Sequence, residues 1–85
     1  MNDTEIWKSD TDWILKQLGA EITQRRIRRV SFMHEGKVLV AEVGGPNPFN
    51  ELPVRAIYED AQRGVFFLCG GTITIAPKDS VVEEY

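Results

Sequence analysis

The stretch RVSFMHEGKVLVAEVGG, residues 29–45, sets β-branched and aromatic residues at strand spacing on both sides of a Glu35-Gly36 pair. A two-residue turn needs positive φ, which glycine tolerates, and it joins two antiparallel strands in one register. With the turn at Glu35-Gly36, His34 faces Lys37, Phe32 faces Leu39, Val30 faces Ala41 and Arg28 faces Val43. The opposite pleat face then pairs Met33 with Val38, Ser31 with Val40 and Arg29 with Glu42. The Phe32/Leu39 face is the better core face, and Arg29 with Glu42 makes a complementary cross-strand charge pair.

The rest of the chain follows from what flanks this hairpin. GGPNPFNELP, residues 44–53, holds three prolines and two glycines and continues neither neighbouring strand. VRAIYE and VFFLCGG make a second hairpin across DAQRG. TITIA follows the Gly70-Gly71 turn, and PKDS turns the chain into a last short strand, VVEEY. Upstream, SDTDWILKQLGA has a helix-capping Ser9, Asp10 and Asp12 in the first turn, an apolar face of Trp13, Ile14, Leu15 and Leu18, and a terminating Gly19. This predicts a helix over about residues 10–18. The expected fold is therefore α+β: an N-terminal helix, then an antiparallel sheet of five to six strands curled as a small barrel, SH3-like or meander. It is read as a single domain over 1–85, with 1–19 the N-terminal segment and helix and 25–85 the meander.

Eighty-five residues give a thin core, and Cys69, the only cysteine, excludes an intrachain disulfide and a multi-cysteine zinc site. The longest apolar run, GVFFLCGG, is too short to span a bilayer, and the acidic N-terminus has no basic-then-apolar signal pattern. The expectation is a cytoplasmic protein with no membrane partner, no metal and no cofactor.

QRRIRRVSF places four arginines within five positions of a chain with net charge −3. Two readings compete for Arg25, Arg26, Arg28 and Arg29. In the first, the last strand returns beside the first to remove two free edges. Glu83 and Glu84 then lie beside two of the arginines, and Glu42 takes Arg29. In the second, the guanidinium forks grip an external phosphate, as nucleic acid or a nucleotide. Against it stand the acidic balance and the scarcity of nearby aromatics for base stacking, only Phe32 lying close. Arg25 and Arg29 at R-x-x-x-R spacing ahead of β-strands resemble the opening motif of the PilZ family, β-barrel domains that bind cyclic di-GMP. The resemblance covers RRIRR and the strand after it; AEVGGPN does not supply the family's second motif, D/N-x-S-x-x-G. It implies a cyclic dinucleotide as one form of the phosphate ligand. A bulge near Arg28 would break the alternation of the run, because Ile27 falls on the opposite parity from Val30 and Phe32.

His34 and Cys69 each sit beside a glycine turn and form a cysteine–histidine pair only if strand order brings them together. No phosphate loop, dinucleotide glycine pattern or serine elbow is present, so an enzyme is not expected. The proline-bounded loop carries Phe49 and Leu52, which anchor a partner protein if exposed and plug the end of the sheet if folded inward. Trp7 poses the same choice. The sequence thus points to a non-catalytic binding or regulatory module for a partner protein, through Phe49, Leu52 and Trp7. The alternative is a phosphate-ligand binder using the four arginines.

Overall fold

The computed structural model describes residues 14–85. Its strands are β1 (Ile27–His34), β2 (Lys37–Glu42), β3 (Ala56–Asp60), β4 (Val65–Gly70), β5 (Thr72–Ala76) and β6 (Val81–Glu84). They form two antiparallel three-stranded sheets, ordered β2-β1-β6 and β3-β4-β5. Among the described residues, helix is confined to a single turn at residues 14–17. The start of the expected helix lies outside the described residues, as does Trp7. Gly19 ends the turn as expected, with φ at 69°, while the Ala20 N–H donates to the Leu15 carbonyl at 3.0 Å.

The first hairpin has the register its turn dictates, running from Arg29 opposite Glu42 to His34 opposite Lys37. Glu35 and Gly36 both have positive φ, at 50° and 79°. That geometry matches the right-handed twist of the flanking strands. The last strand does return to the first: β6 pairs antiparallel with β1.

The barrel expectation needs correction, since the sheets stay separate and do not close. The reason lies in residues 44–53. Pro46, Pro48 and Pro53 have no N–H to extend a ladder from β2 to β3. The loop closes on itself instead, through an isolated Pro46–Pro53 bridge and backbone bonds such as Asn47 N–H to the Leu52 carbonyl at 2.8 Å, and forms no strand ladder. Its far end is held by close backbone packing: a Cβ on Gly70 would lie 2.0 Å from the Pro53 carbonyl oxygen.

The two sheets bury their inner faces against one another. Ile27, Val30, Phe32 and Ala41 from the first meet Ile57, Phe66, Leu68 and Ala76 from the second, with Val54 between. Strand β4 is buried on its other face too, where Phe67 and Cys69 pack with Leu15 of the helical turn. This accounts for the unbroken apolar run FFLC, since a strand covered on both sides has no reason to alternate. The centre of the second sheet is therefore covered outside as well as inside, while Ile75 at its β5 edge stays exposed. Among the described residues, nothing comparable covers the outer face of the first.

Asp60 fixes where the N-terminal segment meets the second sheet. Its carboxylate is fully buried and accepts from the Glu21 N–H at 3.0 Å, the Gln62 N–H at 2.9 Å and Arg63 Nη1 at 2.7 Å. Arg63 also donates to the Leu18 carbonyl, tying the helical turn to the same carboxylate.

Candidate functional site

Three of the four clustered arginines face the protein's own carboxylates. Arg25 reaches Glu59 at 3.1 Å and Glu84 at 3.4 Å. Arg28 reaches Glu42 at 3.0 Å and Glu83 at 3.4 Å, and Arg29 pairs with Glu83. Glu42 was expected to take Arg29, its cross-strand neighbour, but its ion pair goes to Arg28. The register between β1 and β6 shifts between Ile27 and Arg29, leaving Arg28 as an extra residue. This bulge lets Ile27 and Val30 both enter the core despite their opposite parity. It also places two consecutive arginines within reach of one glutamate. The hydrogen bond from Arg25 to Glu84 chiefly, with Glu59 adding to it, outweighs burial and holds the guanidinium more firmly protonated.

Arg26 differs from its neighbours. Its guanidinium lies 6.0 Å from the ring centre of Tyr85, and it makes no ion pair with a described carboxylate. It lines a groove of about 440 Å³ with Arg55, Tyr58 and Tyr85. Arg55 likewise has no carboxylate partner among the described residues. Nothing in the arginine-rich sequence around Arg26 singled out Arg55, which is 29 positions away and joins it through the fold alone.

The loop residues are partly spent on packing. Phe49 stacks on Phe32 with ring centres 5.8 Å apart and meets the edge of His34 at 5.2 Å, yet 39% of it stays exposed. Leu52 approaches the Gly71 turn and is also partly exposed. Asn47 and Asn50 tie the loop to β5 through Thr74 and Thr72, at 2.9 and 2.8 Å. Each asparagine also accepts from a backbone N–H two residues on, at Phe49 and Leu52. The result is a fixed clamp with an apolar rim.

His34 and Cys69 are not brought together. His34 is exposed at the β1–β2 turn against Phe49, whereas Cys69 is buried with Leu15 and Phe67 on the far side of the second sheet. Burial pushes the Cys69 thiol up to about 12. Among the described residues, no group of three or more histidine, cysteine, aspartate or glutamate side chains could hold a metal ion. No helix there is long and apolar enough to cross a membrane.

The outer face of β2-β1-β6 is the surface that the sequence reading passed over. Register divides it into three rows. Met33 and Val38 form the first, Val40, Ser31 and Val81 the second, and Glu42, Arg29 and Glu83 the third. The apolar members are 62% (Met33), 65% (Val38), 45% (Val40) and 70% (Val81) exposed. The signal was present in KVLVAEV, which is apolar on both pleat faces, as only a strand covered on both sides usually is. Compared with known proteins, the chain matches no family model, no curated protein and no solved structure.

Proposed function

We propose that the chain is a non-catalytic protein-binding module that docks its partner on the outer face of β2-β1-β6. The observation that supports this most directly is the uncovered apolar surface of Met33, Val38, Val40 and Val81. Contiguous apolar patches rimmed by polar groups mark interaction surfaces, because leaving them in water forgoes the free energy of burial. The Glu42-Arg29-Glu83 row supplies such a rim on one side. The partner is a protein with a matching apolar surface. The anchor role moves to these four residues from Phe49 and Leu52, whose loop is already clamped to β5; Trp7 lies outside the described residues.

Site-specific photo-crosslinking tests this in cells that make the protein. A benzophenone side chain at Met33 and, separately, at Val81 should capture the same protein. The same group at Lys78, in the turn before β6, should not. Capture with equal yield from all three positions, or none from Met33 and Val81, would overturn the reading.

A second reading is favoured by one observation, the pair Arg26 and Arg55 in a groove that also presents the Tyr85 ring. Arginine forks and aromatic faces together suit a phosphate carried on a planar ring. An NMR titration with a mononucleotide tests it: amide shifts at Arg26, Arg55 and Tyr85 would support it, and none there would remove it.

A further inference from the structure

Two three-stranded sheets have four edges, and exposed strand edges invite pairing with other chains unless something protects them. Two of the four are protected, and a third, β5, is flanked by the loop 44–53. Strand β3 is covered by residues 21–23, with the Thr23 N–H donating to the Glu59 carbonyl at 3.0 Å and Ile22 bridged to Asp60. Strand β5 carries the loop clamp on its side chains only, Asn47 on Thr74 and Asn50 on Thr72, and Pro77 follows its last residue. Strand β6 is short, borders the β1 bulge and carries Glu83 and Glu84. The fourth edge, β2, has no proline, no bulge and no covering segment among the described residues.

The hairpin register specifies which main-chain groups that edge exposes. The Val43 N–H donates to the Arg28 carbonyl at 2.9 Å, so the odd-numbered residues of β2 turn their main-chain groups toward β1. Val38 and Val40 turn theirs outward, and neither makes a backbone hydrogen bond outside the β1–β2 ladder among the described residues. The Glu42 carbonyl, next along, is already taken by the Gly45 N–H at 2.9 Å. The open groups are thus confined to a short segment centred on Leu39.

We infer that β2 pairs antiparallel with β2 of a second copy about a two-fold axis at Leu39, joining the two outer sheets into one of six strands. The segment is self-complementary. Val38 of one copy meets Val40 of the other and exchanges both main-chain bonds with it, and the two-fold repeats the pair. The valines form cross-strand pairs on the outer face, and the partly buried Leu39 meets its own copy on the inner face. Lys37 and Glu42, the two charged residues of β2, lie at its two ends, so antiparallel pairing about Leu39 sets no like charges of β2 opposite one another. This inference uses the edge of the sheet, not its face, and stands apart from the proposed partner: Met33 and Val81 can crosslink a partner from a monomer.

Sedimentation velocity on the full chain, over about 5 to 500 µM, is the test, because a dimer's apparent mass depends on concentration. Wild type should sediment at twice the 9.7 kDa chain mass at the upper concentrations. Val40→Pro removes an outward N–H at an edge position, where proline is tolerated, and should weaken association by roughly tenfold or more. The double variant Val38→Lys, Val40→Lys should do the same by charge, which covers the case in which the proline variant does not fold. Val81→Lys, on the same face but at the far edge, should leave the dimer intact. A wild-type chain that is monomeric throughout would overturn the inference. So would a dimer that survives both β2 variants with native amide spectra.

Discussion

At the scale of single residues, burial decides which side chains hold the molecule together. Asp60 is the clearest instance. Burial alone would raise its pKa, but hydrogen bonds from the Glu21 N–H, Arg63 and the Gln62 N–H together outweigh it and hold the carboxyl below the usual aspartate range. A folded pKa below the unfolded one means stability present above the unfolded value and lost as pH falls through the folded one. Asp60→Asn should therefore cost about 2 kcal/mol at neutral pH, where the charge-assisted bond to Arg63 is lost. The gap from wild type should narrow below the ordinary aspartate range, as urea titrations at neutral and acid pH would measure. Gly70→Ala should cost about 3 kcal/mol, because its Cβ has no room against the Pro53 carbonyl and must displace backbone. Cys69, buried with its thiol near 12, should alkylate in native protein at mild alkaline pH only as fast as the second sheet opens. Iodoacetamide labelling in rising urea would show that dependence.

Elements were legible in proportion to how local their cause is. The Glu35-Gly36 turn is local, and it fixed every pairing of the first hairpin. Gly19 ended the helical turn where its conformation predicts. The return of β6 to β1 was legible from the need to remove free strand edges, which sets VVEEY beside RRIRR, but which glutamate meets which arginine was not. That assignment depends on the bulge at Arg28, which in turn arises from fitting both Ile27 and Val30 into one core. Non-closure of the barrel was hidden for the same reason, as sheet edges are settled by long-range packing and by prolines acting together. The Arg26–Arg55 groove had no local signal at all. Glu83 is where the element-level account can be checked. Glu83→Gln removes the charge shared by Arg28 and Arg29, all three of them partly exposed, so it should destabilise by at most about 1 kcal/mol. The loss should shrink with added salt, and hydrogen exchange should quicken in β6 before the rest of the first sheet.

The charge of the whole molecule argues about partners more sharply than its total suggests. Residues 1–13 hold Asp3, Glu5, Asp10 and Asp12 against Lys8, which accounts for the entire net charge of −3. Residues 14–85 are therefore neutral overall. A neutral body can still carry a basic footprint if its cations cluster without partners, and the arginine run looks like one in sequence. In the fold it is not, because Arg25, Arg28 and Arg29 each lie within ion-pair distance of glutamates. A phosphate would have to displace those carboxylates while standing close to them, and that repulsion removes most of what a guanidinium fork offers. An amide NMR titration with a mixed oligonucleotide pool and cyclic dinucleotides, at near-physiological salt, should leave Arg28 and Arg29 unmoved. Shifts centred on those two residues would mean the glutamates yield to an external phosphate, and the arginine strand would replace the outer sheet face as the binding surface. Shifts confined to Arg26, Arg55 and Tyr85 would instead assign any phosphate to the groove, leaving the apolar face free for a protein.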